Sequence, residues 1–343
     1  MRVAMYYNNR DVRLEEMPKP EIGRGEILVQ IVASGICGSD VLEWYRIRKA
    51  PIVLGHEVAG EVVEVGEGVE RFHPGDRVCV SHHVPCNTCR YCLAGNHTVC
   101  ETLHTTNFDP GGFAECVRVP PINVDRGAFV LPDEMSFEEG AFLEPLACVV
   151  RGQRNARLRP GQTVLVVGSG ISGLLHVLLA RALGAGRILA TDVSEFRLGK
   201  AKEFGADVAI QASEDVPARV RGSNDGRPAD LVIVCTGAFP AFLQALQSVD
   251  RAGTVLCFAT TDPGTELPVP LNDFWRNSVT VMSSYANSPY DLEVAMELIR
   301  SGRVDVRPMI THRLPLAETG KGFALMAGLL DEDSLKIIVE PQR

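Results

Sequence analysis

Four thiols are the most specific chemistry in the chain. Cys86-x2-Cys89-x2-Cys92-x7-Cys100 places four soft donors close enough to close around one tetrahedral zinc. Such a set leaves no coordination position open, which makes the ion structural. The surrounding segment, residues 81–104, is dense in cysteine and histidine and too polar and irregular for a core element. A bound ion would supply the folding energy that this segment lacks. Disulfides and an iron–sulfur cluster are the other uses of this spacing. Disulfides are disfavoured because the ten cysteines occur in a chain whose opening residues, Met1 to Asn9, carry no secretion-signal pattern. That combination predicts thiols in a reducing, cytoplasmic compartment.

A second set of donors is dispersed: Cys37, His56, Glu57 and Glu144. No member defines a site alone, since a single cysteine often packs as a small hydrophobe and a single histidine is commonly just hydrogen-bonded. Two neighbours raise their interest. Gly35, Gly38 and Gly55 allow close backbone approach, and Asp40 can orient a liganding imidazole through its other ring nitrogen. An open metal position built from these residues would acidify a bound hydroxyl. Cys37-Gly38-Ser39-Asp40 also reads as the opening of a helix, with Ser39 or Asp40 as its cap.

The third constellation is Gly168-Ser169-Gly170-Ile171-Ser172-Gly173, preceded by the aliphatic run Val164–Val167 and followed by helix formers from Leu174 to Leu183. Strand, Gly-x-Gly-x-x-Gly, helix is the order a dinucleotide-binding turn requires. Gly168 would make the tight turn, Gly170 would let the backbone approach a pyrophosphate, and Gly173 would let helix and strand pack closely. A second run ends at Asp192, about twenty residues further on, where a carboxylate accepts hydrogen bonds from the adenosine ribose hydroxyls and repels a 2′-phosphate. The expected cofactor is therefore NAD, with Arg197 placed to stack on adenine or reach a phosphate.

These groups need elements to hold them. Residues 1 to about 80 are β-rich, with β-branched alternation in Glu26–Val32 and Val58–Val65 punctuated by Gly66, Gly68 and Gly75. Ser136 to about Arg154 reads as one or two helices around Glu144-Pro145. From Gly161 the chain alternates strand and helix. Strands are expected at Val164–Val167, Ile188–Thr191, Val208–Ile210, Leu231–Cys235 and Thr254–Ala259, with helices at Ser194–Phe204 and Pro240–Val249. That alternation predicts a parallel sheet covered by helices on both faces. Further on, Asp291–Ser301 is expected as a helix, with Arg307–Leu314 and Leu335–Glu340 as strands. A length of 343 residues suits two domains, and a net charge of −9 argues against nucleic acid or an anionic membrane as partner. The cysteine segment agrees, having only Arg90 as a cation between Cys86 and Cys100. No run reaches the apolar length of a membrane span.

The whole chain resembles the zinc-dependent medium-chain dehydrogenases and reductases, in the branch containing sorbitol (L-iditol) and L-threonine dehydrogenases. The markers are Gly35-Ile-Cys-Gly-Ser-Asp40, Leu54-Gly-His-Glu-Val58, Pro74-Gly-Asp-Arg-Val78, the four-cysteine lobe, Leu143-Glu-Pro-Leu146, the Gly168–Gly173 turn, Cys235-Thr-Gly237 and Ile310-Thr-His-Arg-Leu314. The resemblance implies an α/β fold: a doubly wound Rossmann domain at 148–285, inserted into a β-rich GroES-like catalytic domain at 1–147 and 286–343. It implies two zinc ions per chain. Cys37 and His56 become catalytic ligands, and Glu57 and Glu144 become the third ligand or carboxylates beside it. Ser39 becomes the hydroxyl that receives the substrate proton, and Cys235 and Thr236 join the cofactor site. The implied reaction is oxidation of a secondary alcohol in a polyol, cyclitol or sugar-derived substrate by NAD, in a homo-dimer or homo-tetramer. L-threonine 3-dehydrogenase is the alternative enzyme, and an NAD-binding protein without catalysis is the alternative class. The chain departs from the branch at Leu42, where histidine is common, and at Ser284-Tyr285, where the sorbitol enzymes carry Arg-Tyr. His83 aligns with a substrate-side histidine of the threonine enzymes, or belongs with His82 to a solvated pair.

Overall fold

In the computed structural model, which describes residues 1–343, the β-branched and aliphatic runs form sixteen strands in three sheets. The first eight are β1 (Arg2–Asn8), β2 (Asp11–Glu16), β3 (Ile27–Gly35), β4 (Ile52–Val53), β5 (Glu57–Val65), β6 (Arg77–Val80), β7 (Cys116–Val119) and β8 (Ala128–Val130). Six more follow as β9 (Thr163–Val167), β10 (Arg187–Asp192), β11 (Val208–Gln211), β12 (Ala229–Val234), β13 (Val249–Cys257) and β14 (Thr280–Ser283). The chain closes with β15 (Ile310–Pro315) and β16 (Lys336–Glu340). It divides into two units, one of Met1–Ala147 with Ala286–Arg343 and one of Cys148–Tyr285.

In the second unit the sheet order is β11-β10-β9-β12-β13-β14, with every neighbouring pair parallel. Strand order reverses between β9 and β12, where an open α/β sheet forms its crevice for ligands. Strand β9 is Thr-Val-Leu-Val-Val and buried throughout. This is why it reads as an unbroken apolar run, because helices cover both faces of a parallel sheet. Each such buried aliphatic side chain contributes roughly 1.5–3 kcal/mol of transfer free energy. At the end of β9, Gly168 has φ +94°, and a Cβ on Gly173 would lie 1.9 Å from the Gly168 carbonyl oxygen. Only glycine fits the tight packing between this turn and the helix Ile171–Ala182.

The sequence pattern locates five of these six strands. It gives no signal for β14 or for the helix Leu271–Asn277 that precedes it. The reason is physical: β14 is a four-residue edge strand, largely exposed, so its composition is not constrained by burial on two faces. The expected strand at Arg307–Leu314 begins later, at Ile310. Arg307-Pro308-Met309 instead forms a 3₁₀ turn, consistent with the missing N–H of proline.

In the first unit a seven-stranded sheet runs β15-β16-β3-β5-β6-β8, with β7 also paired to β3. Its core holds Ile27, Val29, Ile31, Val58, Val62, Val78 and Val117, all at most 1 % exposed. Register aligns Ile338 of β16 with Gly35 of β3, and Gly35 with Glu57 of β5. Lys336 lies two residues before Ile338 and therefore projects from the same face of β16. The cysteine segment folds into the short helices Arg90–Leu93 and Glu101–Thr105, with a 3₁₀ turn at His97–Val99. No helix of the chain is long and apolar enough to cross a membrane.

Candidate active site

Strand β3 delivers Cys37 just past its end, in extended backbone at φ −91° and ψ 149°. Cys37 caps the 3₁₀ turn Gly38–Val41. Its Sγ accepts from the backbone N–H of Ser39 at 3.4 Å and from Ser39 Oγ at 3.3 Å, while Asp40 Oδ2 accepts from the Cys37 N–H at 3.1 Å. The cap expected at Ser39 or Asp40 is thus Cys37, because it is the last extended residue and its sulfur overhangs the turn's free donor. Asp40 is turned inward and fully buried. Its Oδ1 lies 3.3 Å from His56 Nδ1, which fixes the imidazole and leaves Nε2 for a ligand.

Donor atoms of Cys37, His56 and Glu57 lie within 4.8 Å of one another. Three donors of mixed softness at that range fit a zinc with a fourth position open. Burial opposes protonation of His56, but the charges of Asp40 and Cys37 and the hydrogen bonds to both outweigh it, raising its pKa well above the histidine value. Burial likewise disfavours the Asp40 carboxylate. The adjacent His56, Arg46 and the Cys37 N–H more than compensate and hold it below the usual range. Asp40 is therefore an anion at neutral pH, as an orienting partner must be.

Lys336 is the residue that sequence reasoning missed. Its ammonium is hydrogen-bonded to Glu57 Oε2 and donates to the Ile36 carbonyl at 3.3 Å, with both charged side chains only 1 % exposed. The pair meets across Gly35: a Cβ there would lie 2.1 Å from Glu57 Oε2 and 2.7 Å from Lys336 Cε. Nothing in the local pattern of Lys336-Ile-Ile-Val-Glu340 announces this role, since it depends on the register of three strands remote in sequence. Glu144 stands apart from the three-donor group. It is buried near the start of the helix Leu143–Asn155 and accepts from Asn287 Nδ2 at 3.2 Å.

His82 and His83 are not a solvated pair. Their rings are 3.8 Å apart, and His82 in turn lies 4.9 Å from the His56 ring. Burial, aided by the positive charges of His56, His104, Arg46 and Lys49, lowers the His83 pKa to about 4, so it is neutral near pH 7.

The thiols of Cys86, Cys89, Cys92 and Cys100 converge within 4.8 Å. Backbone N–H groups of Thr88 and Cys89 point at Cys86 Sγ, at 3.4 and 3.2 Å, and that of Cys86 points at Cys100 Sγ at 3.4 Å. Donors aimed at sulfur suit thiolates, and four thiolates fit zinc with no open position.

In the second unit the space over Gly170 is open, with nothing within 4 Å of where its Cβ would be. Ile171 and Ser172 begin the helix behind it, so their backbone N–H groups lie among its unpaired donors. A pyrophosphate fits that cradle. Asp192 accepts from Ser169 N–H at 2.7 Å and Ser194 N–H at 2.9 Å, which fixes its carboxylate at the end of β10. A carboxylate has lone pairs left for ribose hydroxyls. Arg197 lies in the first turn of the helix Glu195–Glu203, with no ion-pair partner. Cys235 donates its N–H to the Val167 carbonyl at 2.7 Å and packs with Thr236 against Gly168, at the reversal of strand order. Burial pushes the Cys235 thiol far up, so it serves as packing.

Known proteins carry the same layout. Residues 23–126 match the alcohol dehydrogenase GroES-like domain, and residues 172–301 match the zinc-binding dehydrogenase domain. Mouse sorbitol dehydrogenase is 34% identical over 322 residues, covering 91% of this chain and 89% of that protein. The chain belongs to the zinc-binding alcohol dehydrogenase family. Among solved structures, an alcohol dehydrogenase from Thermus sp. ATN1 superposes with a TM-score of 0.88 at 31% identity, covering 99% of each chain. A zinc-binding dehydrogenase from Sinorhizobium meliloti 1021, bound to NADP, has a TM-score of 0.88 at 28% identity, again over 99% of each. As a member of this family the chain is a zinc-dependent oxidoreductase that oxidises a secondary alcohol with a nicotinamide cofactor.

Proposed function

We propose that the enzyme oxidises a secondary alcohol of a polyol, cyclitol or sugar-derived substrate, with NAD rather than NADP, at a zinc held by Cys37 and His56 and by Glu57 or Glu144. The observation that carries this reading is the convergence of Cys37, His56 and Glu57 donor atoms within 4.8 Å. Zinc bound there would supply the Lewis acid that acidifies a substrate hydroxyl, and NAD the acceptor for hydride. Ser39, beside Cys37, relays the substrate proton, accepting it on Oγ as its own hydroxyl proton passes to solvent. Asp40 holds His56 in one orientation, and Lys336 neutralises Glu57 so that its charge is tolerated in a dry interior. Asp192 reads the ribose hydroxyls, and the four cysteines of the lobe hold the second zinc.

In the same reading, 1–147 with 286–343 is the catalytic domain and 148–285 the NAD domain. In the threonine alternative the substrate ammonium needs a carboxylate, Glu144 or Glu115, and Glu115 is engaged by the backbone N–H and Nε of Arg2. Ten cysteines, none in a disulfide, suit a cytoplasmic protein. A homo-dimer or homo-tetramer is the assembly. Strand β14 is a sheet edge beside Leu271 and Trp275, each 76% exposed. Pairing with a second copy about a two-fold axis would close both edges at once.

The test is NADH formation by zinc-replete protein on polyols, cyclitols and L-threonine, with NADP substituted for NAD and a chelator-treated control. A chelator-sensitive rate on a polyol or cyclitol, faster with NAD, is expected. A rate that survives chelation would overturn the catalytic-zinc reading, and a preference for threonine would overturn the substrate class.

A further inference from the structure

The residues that follow the Cys37–Asp40 turn form a basic rim that the chemistry above does not use. Arg46 closes the short helix Glu43–Arg46, and Arg48 and Lys49 lie in the 3₁₀ turn Ile47–Lys49. Arg46 is pinned in place. Its Nε donates to the Ser39 carbonyl at 3.0 Å, and its Nη2 donates to Ser39 Oγ at 3.1 Å and to Asp40 Oδ1 at 3.3 Å. Tyr45 lies under the guanidinium, with Cζ 4.7 Å from the ring centroid, and the Lys49 ammonium is 5.9 Å from the same ring. Nη1 of Arg46 has no hydrogen bond, and neither Arg48 nor Lys49 has an ion-pair partner.

The carboxylates nearby do not cancel this charge. Asp40 is shared between Arg46 and His56, and Glu57 is taken by Lys336. Glu43 is exposed on the same helix, and its field acts on Tyr6. On the site side, Arg46 and Lys49 both act on His83, the stacked neighbour of His82 and His56. One patch thus brings together a rigid guanidinium touching the proton-accepting serine, a flexible ammonium, and a neutral histidine. This occurs on a chain of net charge −9, where overall composition would lead one to expect repulsion of anions.

We propose that the substrate carries an anionic group, a phosphate ester or a carboxylate, bound by Arg46 and Lys49 while its hydroxyl is oxidised beside Ser39. The inference rests on the dehydrogenase reading above and narrows it from polyols in general to anionic ones. Nη1 of Arg46 is left to donate charge-assisted hydrogen bonds to an oxygen of either group, and Lys49 adds a movable point charge. Because Arg46 also contacts Ser39 Oγ, occupation by an anion would be felt at the group that receives the proton. A guanidinium donates and never accepts, so it cannot itself carry that proton onward.

The experiment compares kcat/KM at low salt for three six-carbon compounds: sorbitol, a sorbitol phosphate ester and an aldonate such as gluconate. Calorimetric titration with inorganic phosphate accompanies it, with the cofactor site saturated by NAD. One anionic compound should exceed sorbitol by tenfold or more, the advantage should shrink as salt rises, and the faster compound identifies the anion as phosphate or carboxylate. Lys49→Gln should reduce the anionic-to-neutral ratio severalfold, chiefly through KM, and weaken phosphate binding. Arg46→Lys should reduce the same ratio and also lower kcat through Ser39. Sorbitol equal to or faster than both anions, or phosphate binding unchanged in Lys49→Gln, overturns the inference and leaves the dehydrogenase reading standing. Absence of NADH from every alcohol, with NAD bound, overturns that reading instead. The phosphate titration then decides the anion site by itself.

Discussion

The two zinc-type centres in the first unit are built in opposite ways. The lobe draws all four donors from one stretch, Cys86 to Cys100, held by local turns whose backbone N–H groups point at the sulfurs. The three-donor centre draws on the end of β3, the start of β5 and, through Lys336, the start of β16. A local site needs only turn chemistry and an ion to form, so its residues recur at short spacing. A dispersed site needs a finished sheet. It also needs charges inside that sheet, and each buried charge must find a partner because its desolvation is costly. The closed thiol set suits a permanent ion, whereas the mixed set, with one carboxylate tied to a lysine, leaves room for exchange and chemistry.

The comparison is sharpest where one centre is removed and the other kept. Replacing His56 by Ala or Cys37 by Ser removes a donor from the dispersed centre, and metal analysis should fall from two zinc ions per chain to one. Losing a Lewis acid worth several kcal/mol corresponds to a fall in turnover on the order of a thousandfold or more. NAD binding, measured by calorimetry, should persist. A variant that keeps both ions would break the assignment. Conversely, Cys92→Ser should release the lobe ion, whose binding is worth on the order of 10 kcal/mol in comparable cysteine sites. The first readout is protease cleavage between residues 81 and 104, ahead of global unfolding.

A smaller effect tests the buried pair. In protein stripped of zinc, Lys336→Met leaves the buried Glu57 without its ion-pair partner and should destabilise the protein by about 3–5 kcal/mol, read as a lowered denaturant midpoint. The double change Lys336→Met with Glu57→Gln should recover most of that loss. If the single variant is as stable as the parent, the lysine is not what makes the carboxylate tolerable. Asp40→Asn retains size but loses the charge behind His56, and zinc affinity at the dispersed centre should weaken by about 10–100-fold, with the lobe ion unaffected. Smallest, and in the other unit, Asp192→Ala should erode the preference for NAD over NADP by roughly tenfold, about 1.4 kcal/mol.

Legibility in the sequence followed the same division. The strand β9, the Gly168–Gly173 turn and Asp192 are consecutive parts of one supersecondary unit, so their spacing carries the geometry. Open space over Gly170 and close packing at Gly173 match what that spacing implies. The lobe cysteines were equally plain. Cys37, His56 and Glu57 were visible as donors, but only the family resemblance implied their meeting, because no local rule relates residue 37 to residue 57. For His83 the sequence left two readings, a substrate-side histidine or a solvated pair with His82, until packing stacked it on His82, whose ring lies beside His56. Strand β14 and the helix before it carried no signal, since their exposed faces leave composition free.

What the amino-acid sequence determined unaided were the motifs set within one turn or one strand–turn–helix unit: the thiol lobe, the glycine turn, the aspartate that ends the second strand and the alternation that builds a parallel sheet. Tertiary structure alone decided that Glu57 lies within reach of Cys37 and His56, that Lys336 crosses over Gly35 to pair with it, and that Arg46 grips Ser39. Those outcomes depend on strand register and on a helical turn folding back over the site. Register is fixed by packing summed over a whole sheet, and short-range spacing does not encode it.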